Sequence, residues 1–357
     1  MTSENIQIKS QSKNYNVVFD KTLEKLKKFS NEPNIIYLID KKVWNLYQNI
    51  FSGSILSKNV IVIDALEENK DYFALGEIIQ KLTTVQAKKN LTLIAIGGGI
   101  IQDITGFIAS ILYRGIRWIF VPTTLLAQAD SCIGAKTSIN FKNNKNLLGT
   151  FWAPSEIWLS TQFIDTLESK DFYSGIGEII KLFLIDGEKS LNKFPDYPKA
   201  TEIDLRKNIE PYLYQALLIK KSFIEVDEFD KGVRNILNFG HCIGHAIETV
   251  TNYAIPHGQA VTLGMIWANI ISVKTNRLSN NTKDFIFNTY LKNSHTISKE
   301  LISFDVNQII AAMKKDKQRE NQDLAIILLS KNYNFNRIIN LKENIILETY
   351  NDFISSF

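Results

Sequence analysis

Short apolar runs alternate with longer stretches of helical period through the first 160 residues of the chain. NIIYLID (34–40) and NVIVIDA (59–65) are apolar at consecutive positions, the pattern of strands buried on both faces. LTLIAIGGG (91–99) is the clearest strand and ends in three glycines, and IIQDITGFIASILYR (100–114) behind it has helical spacing. RWIFVPTT (117–124) and EIWLS (156–160) complete the set. Strands alternating with helices predict a mostly parallel sheet with helices on its faces, a Rossmann-like α/β domain over residues 1–166.

Beyond Thr166 the period changes. SGIGEIIKLFLI (174–185), LRKNIEPYLYQALLIKKSFIEV (205–226), AVTLGMIWANIISVKTNRL (260–278) and VNQIIAAMKKDKQ (306–318) are amphipathic at helical period. Only DLAIILLS (323–330) reads as extended. Residues 167–357 are therefore expected to form an all-α domain, with an active site in the cleft between the two.

Composition narrows the classes. An apolar fraction of 45% and a charged fraction of 22% are those of a globular protein. The net charge of +4 comes from 41 basic and 37 acidic residues spread along the chain, which argues against nucleic acid or a membrane surface as partner. The two cysteines, Cys132 and Cys242, lie far apart and suggest no disulfide framework. The first residues lack a signal-peptide pattern and no apolar run reaches membrane-spanning length, so a cytoplasmic enzyme is expected.

Three features carry chemistry. Gly97, Gly98 and Gly99 join a strand to a helix, where close backbone approach and unpaired N–H groups suit a phosphate. A tight turn without a ligand is the alternative. Asp103, one turn on, is either a cofactor contact or an acid stabilising the helix dipole. Second, NFGHCIGHAIE (238–248) places His241 and His245 on one helical face, and His257 follows in AIPHGQA; the chain has four histidines. Such a cluster suits zinc or a similar divalent ion, with Glu248 on the same face or Glu178 of GIGEIIK as a candidate acid. Gly240 and Gly244 would let a neighbouring element approach. Third, Lys136, Lys145, Asn146, Lys181, Lys220 and Arg234 recur beside these motifs, as an anionic, phosphorylated substrate would require.

Taken together, GGGIIQDITGFIAS, YRGIRWIFVPTTLLAQADSCIGAKTSIN, KNLLGTFWAP, SGIGEIIK and RNILNFGHCIGHAIE with HGQAV resemble the 3-dehydroquinate synthases, among the sugar phosphate cyclases. The likeness runs in order from about Asp40 to Leu329. It implies NAD and a divalent metal, zinc or cobalt, held by Glu178, His241 and His257. His245 would then act on substrate and Glu248 would be helix scaffolding. Asp40, Glu67, Lys70, the turn from Gly97 to Asp103, Thr123, Thr124, and Phe163 to Thr166 match cofactor contacts. Lys136 and Lys145 match positions where cofactor and substrate meet. Asp130, Lys181, Lys220 and Asn238 match groups that bind substrate hydroxyls and carboxylate. Arg234 and Asn146 match the phosphate site, and Arg114 a contact into a neighbouring subunit of a homodimer.

The implied reaction converts 3-deoxy-D-arabino-heptulosonate 7-phosphate to 3-dehydroquinate and phosphate in the shikimate pathway. It runs by transient oxidation with NAD, phosphate elimination, reduction and intramolecular aldol closure. Three departures bear on substrate identity: Gln318 where a second lysine is usual, leaving Lys317 to stand in; Gln259 where HGE is usual; and Ala135 and Ser138 in place of glycines. Asn238 favours the shikimate substrate. The competing readings are a cyclase for another sugar phosphate, a metal-dependent alcohol dehydrogenase and a non-catalytic paralogue.

Overall fold

A computed structural model describes residues 5–29, 34–53, 55–84, 89–142, 144–193, 197–315 and 324–357. The chain divides into two compact units, Met1–Thr166 and Leu167–Phe357.

The first unit is built on seven strands: β1 (Ile6–Ile8), β2 (Tyr15–Phe19), β3 (Ile35–Asp40), β4 (Val60–Ile63), β5 (Thr92–Gly97), β6 (Arg117–Pro122) and β9 (Glu156–Leu159). Their order across the sheet is β1-β2-β9-β6-β5-β3-β4. All pairings are parallel except β1 with β2. The near-continuous burial of β3, β5 and β6 is the reason those segments carry no alternation. The chain passes from β3 outward to β4, then returns to β5 on the other side of β3. The carboxyl ends of β3 and β5 therefore flank a topological switch point, where open α/β sheets leave a crevice. Asp40 ends β3 and Gly97 ends β5. A separate antiparallel ribbon, β7 (Lys136–Phe141) with β8 (Asn144–Phe151), packs against the helix Gly99–Ile111.

The second unit is helical. The helix Ser169–Asp186 packs on Ile209–Ile224 and on His257–Lys274, and His241–Val250 packs on His257–Lys274 as well. The helix His257–Lys274 is buried on nearly every side, so the segment 260–278 is not the amphipathic helix its period suggests but an apolar one with no polar face. Trp267 stacks on Phe353 of the last helix, Glu343–Ile354, at 4.6 Å, and its indole N–H donates to Thr349 Oγ1 at 2.9 Å. The extended segment near the end, β10 (Leu324–Ser330), pairs with β11 (Asn334–Leu341), so the helical unit also carries one antiparallel ribbon. The segment 205–226 is two helices, Glu202–Lys207 and Ile209–Ile224. Asn208 breaks it by donating its amide to Asp204 O at 3.0 Å, and Pro211 then sits in a first turn where its missing N–H does no harm. Among the described residues no helix is long and apolar enough to cross a membrane.

One half-buried side chain is expected to make the second unit acid-sensitive. His295 lies against Phe357 with ring centroids 5.4 Å apart, and its Nδ1 accepts from the Ile297 N–H at 3.2 Å, which only the neutral ring can do. Burial pushes its pKa from 6.5 down to about 4. The stability this confers is complete above pH 6.5 and is lost as pH falls through 4, because the unfolded chain takes up the proton first. Between pH 7.5 and 4.5 the loss should be on the order of 2–3 kcal/mol. Denaturant unfolding at both pH values should show this loss in the wild type and a smaller one in His295→Gln; equal losses would remove His295 as the cause.

Candidate functional site

In the second unit, backbones approach closely enough to bring three ligand-type side chains together. A Cβ on Gly258 would lie 1.8 Å from Ser174 O, and one on Gly177 would lie 2.2 Å from Gly258 O. The helices Ser169–Asp186 and His257–Lys274 can therefore touch main chain to main chain. Gly240 starts the helix His241–Val250 with φ of 80°, a left-handed conformation that glycine adopts without strain. Across from it a Cβ on Gly264 would lie 2.0 Å from Gly240 O. Gly244 lies against the backbone of Ala260 and Val261. The result places Glu178, His241 and His257 with one ligand atom each within 4.8 Å of one another. Glu178 Oε1 is 3.7 Å from His241 Nε2 and 3.6 Å from His257 Nε2.

Those separations suit a metal ion. Ligand atoms about 2.0–2.2 Å from a tetrahedral zinc lie about 3.3–3.6 Å from each other. Glu178 is fully buried; Oε1 has no hydrogen-bond donor, and Oε2 is paired with the Lys181 ammonium one turn along, itself 1% exposed. A buried carboxylate without donors is costly unless cations face it. The donor set and its spacing thus fit a divalent ion held by Glu178, His241 and His257. The histidines differ in charge. Burial, reinforced by Lys181, holds His241 well below the ordinary imidazole range. Burial also opposes the charge on His257, but the Glu248 and Glu178 carboxylates overcome it and carry the ring from 6.5 up to about 8.

His245 is near but outside this trio, its ring 5.4 Å from that of His241 and 5.6 Å from that of His257. It forms a second cluster with Glu248 and His257. Glu248 Oε2 accepts from His257 Nδ1 at 3.1 Å. That contact is legible only weakly in the sequence, as the i, i+3 and i+7 spacing of Glu248 from His245 and His241. Lys220, 6% exposed, comes from the helix Ile209–Ile224, and Asn238 from the segment Val233–Asn238; both elements pack on the helix that carries Glu178. Arg234 is 4% exposed and donates to Glu228 O at 2.5 Å. Its loop is anchored by Asp227, whose carboxylate accepts from the backbone N–H of Lys231, Gly232 and Arg234 at 2.9, 2.8 and 3.1 Å.

In the first unit the residues read as cofactor contacts gather at the switch point and the ribbon beside it. A Cβ on Gly98 would meet Thr124 Cγ2 at 3.0 Å, whereas one on Gly99 would meet nothing within 4 Å. The start of the helix Gly99–Ile111 thus opens onto free space, with no side-chain cap on its N–H groups. Thr123 donates its N–H to Gly97 O at 2.9 Å, and Asp40 accepts from Lys42 N at 2.7 Å. Burial raises the Asp40 carboxyl above its usual range, against the pull of two backbone N–H groups.

Behind this opening runs a polar network. Lys70, 6% exposed, donates to Asp103 Oδ2 at 2.9 Å and to Asn146 Oδ1 at 2.6 Å. Ser138 donates its N–H to Asp103 Oδ1 at 2.9 Å and its hydroxyl to Asp103 Oδ2 at the same distance. Asn140 donates to Glu67 Oε1 at 2.9 Å, and Lys145 lies 3.8 Å from the same oxygen. Burial nonetheless leaves the Asp103 carboxyl raised. Ser138 and Asn140 were missed as contributors; their two-residue spacing on one face of β7 was the available signal. Asp130 lies in the one-turn π-helix Ala127–Ser131, and Lys136 is exposed at the start of β7. Phe163 is 1% exposed, packed edge-on against Tyr47 at 4.9 Å, and Thr166 Oγ1 bonds Tyr47 Oη at 2.8 Å. Arg114 is exposed beside Gly115 with φ of 64°.

The departures sort differently once placed. Gln259, 0% exposed, donates to Lys170 O at 2.7 Å and accepts from Thr296 N at 2.8 Å, a tie within the unit that needs one donor and one acceptor. Ser138 holds Asp103 as above. Ala135 occupies the left-handed region, φ of 60°, where glycine would be unstrained. Lys317 and Gln318 lie outside the described residues.

A doubly wound sheet followed by a helical unit is a fold with solved counterparts. The solved structure of 2-epi-5-epi-valiolone synthase from Streptomyces hygroscopicus subsp. jinggangensis, with NAD+ and Zn2+ bound, shares the fold at a TM-score of 0.81 and 21% identity, over 98% of this chain and 99% of that one. The chain matches the family models 3-dehydroquinate synthase N-terminal over residues 60–174 and 3-dehydroquinate synthase C-terminal over residues 175–319. It is 39% identical over 279 residues to the 3-dehydroquinate synthase of Clostridium tetani, covering 74% of this chain and 73% of that one. It is 31% identical over 332 residues to that of Streptococcus pyogenes serotype M6, covering 91% and 92%. The chain belongs to the 3-dehydroquinate synthase family.

Two outcomes test this placement of residues. Metal analysis should find His241→Ala and His257→Ala depleted of the ion and His245→Ala still loaded; equal depletion of all three would favour a three-histidine site. Gln259→Glu removes the donor to Lys170 O and should cost about 2–3 kcal/mol at neutral pH. Urea unfolding of that variant checks it, and unchanged stability would show that the tie is dispensable.

Proposed function

We propose that the protein is a 3-dehydroquinate synthase, converting 3-deoxy-D-arabino-heptulosonate 7-phosphate to 3-dehydroquinate and phosphate with NAD and a divalent ion, zinc or cobalt. The buried carboxylate of Glu178, facing two imidazole nitrogens and one ammonium, is the observation that carries this reading beyond family membership. Glu178, His241 and His257 are assigned to the ion. The glycine turn at 97–99, Asp40, Glu67, Lys70, Asp103, Thr123, Thr124, Lys145 and the segment from Phe163 to Thr166 are assigned to NAD. When bound, the ion would acidify a substrate hydroxyl and NAD would take up and return a hydride.

The chain's own side chains do the rest. Lys181, Lys220 and Arg234 are buried cations, whose attraction for a phosphate and a carboxylate is screened far less than that of surface lysines. Asn238 orients substrate hydroxyls without adding charge. His245 is the imidazole left for proton transfer, since the other two turn Nε2 toward Glu178. Asp130, Lys136 and Asn146 are assigned to substrate, and exposed Arg114 to a second copy of the chain in a cytoplasmic homodimer. Gln259 and Ser138, which would have favoured a different sugar phosphate, both have structural roles that leave the substrate assignment untouched.

The deciding assay follows phosphate and NADH together on the seven-carbon substrate. Phosphate should accumulate one-for-one with substrate consumed, with no lasting rise in NADH. Chelation should abolish the activity and zinc or cobalt should restore it. Steady NADH build-up matching substrate loss would replace this reading with a dehydrogenase, and no phosphate release would reject it.

A further inference from the structure

The ring of His257 has two nitrogens, and the structure gives each a different carboxylate. Nε2 faces Glu178 Oε1 at 3.6 Å, while Nδ1 meets Glu248 Oε2 at 3.1 Å. The two acids differ in kind. Oε1 of Glu178, the oxygen facing both imidazoles, has no hydrogen-bond donor, as expected of a group awaiting an ion, and Oε2 is held by the Lys181 ammonium, whereas Glu248 is already engaged by the ring. His241 is held on the same plan, its Nδ1 3.3 Å from Phe239 O and its Nε2 turned to Glu178. Helix stability does not explain an acid at Glu248. It sits in the last turn of His241–Val250, at the negative end of the helix dipole, where a carboxylate is disfavoured. Its side chain is 14% exposed, a position a solvated glutamate has no need to occupy.

We infer that Glu248 is a positioning residue: it accepts the Nδ1–H of His257, fixes that tautomer and ring orientation, and so presents Nε2 to the ion held with Glu178 and His241. The cluster of His245, Glu248 and His257 is on this account no second metal site, because its shared atom, His257 Nδ1, carries the proton that Glu248 accepts. A hydrogen-bonded carboxylate behind a ligating imidazole raises its basicity, and loss of such a partner weakens metal binding about 10–100-fold. The inference rests on the metal reading above, and one arm of its test does not need the metal.

In that arm, nitrogen-detected histidine spectra of the metal-free protein at pH 9 should show His257 as the Nδ1–H tautomer. Glu248→Ala should return it to a mixture dominated by Nε2–H. His257 already Nε2–H in the wild type would overturn the inference, whether or not the protein binds metal. In the second arm, zinc affinity is measured by competition with a chromophoric chelator, with circular dichroism confirming the fold of each variant. Glu248→Ala should bind zinc about 10–100-fold more weakly at unchanged one-to-one stoichiometry. Glu248→Gln, which keeps a neutral acceptor, should fall between it and the wild type. The cobalt-substituted Glu248→Gln protein should keep the wild-type visible absorption bands, since its ligands are the same. Altered bands would make Glu248 a ligand, and unaltered affinity in both variants would make it mere scaffold. Wild-type protein that binds neither zinc nor cobalt, yet shows the expected tautomer shift, would reject the metal reading and leave Glu248 as the partner that orients His257.

Discussion

Everything in the helical unit depends on main-chain contact between helices at positions that have no Cβ. Where Gly258 meets Ser174 O and Gly264 meets Gly240 O, even a methyl group would overlap by more than an ångström. Ligand distances at a metal site are fixed to within about 0.2 Å. A helix pair pushed apart by a single side chain would therefore move Glu178 and His257 out of range long before it lowered stability enough to unfold the unit. The geometry of the cluster is thus a property of backbone packing first and of its ligands second.

Electrostatics then sorts the residues so assembled. Glu178 Oε1 has no donor and faces two imidazoles, while Lys181 answers part of the charge from the other oxygen; burial first, and Lys181 second, hold His241 well below the ordinary imidazole range. His257, tied to Glu248 and facing Glu178, is biased the other way. In the first unit the opposite solution holds. Asp103 is surrounded by donors from Lys70 and Ser138, so its carboxylate is committed to the architecture of the glycine turn and ribbon. Glu178, fully buried, and Asp103, whose side chain is 18% exposed, are thus satisfied differently, the one by an ammonium and two imidazoles, the other by a ring of donors.

The strands that lie in the middle of the sheet were legible because burial on both faces writes a continuous apolar run. The ribbon strands β8 and β11 are not legible: they are largely exposed, mix polar with apolar residues, and acquire their shape from pairing rather than from composition, while the edge strand β4, though legible as a strand, is buried on one face only and leaves Val62 exposed. The same division runs through the site. Spacing on one helix announced His241 and His245, but could not say that His257, from a different helix, would share an oxygen of Glu178 with His241 and leave His245 aside. The helical face offers Glu248 as a candidate acid and the family likeness makes it scaffolding; neither tells which ring nitrogen of His257 it meets. Gln259 was misleading for a related reason. A motif departure beside a ligand looks chemical, yet its amide is turned to Lys170 and Thr296.

The placement of β2 in the sheet has a consequence for the order of assembly. β2 pairs along its length with β9, Asn16 opposite Glu156 through Phe19 opposite Leu159. The strands β3, β4, β5 and β6 can associate from sequence-local crossovers while synthesis proceeds. The β1–β2 hairpin has no seat until residue 159 has left the ribosome, so a segment made before the other strands of the sheet is among the last of its unit to dock. Until then β1 and β2 offer unpaired edges, and their brevity, three and five residues, limits what a stray strand can grip.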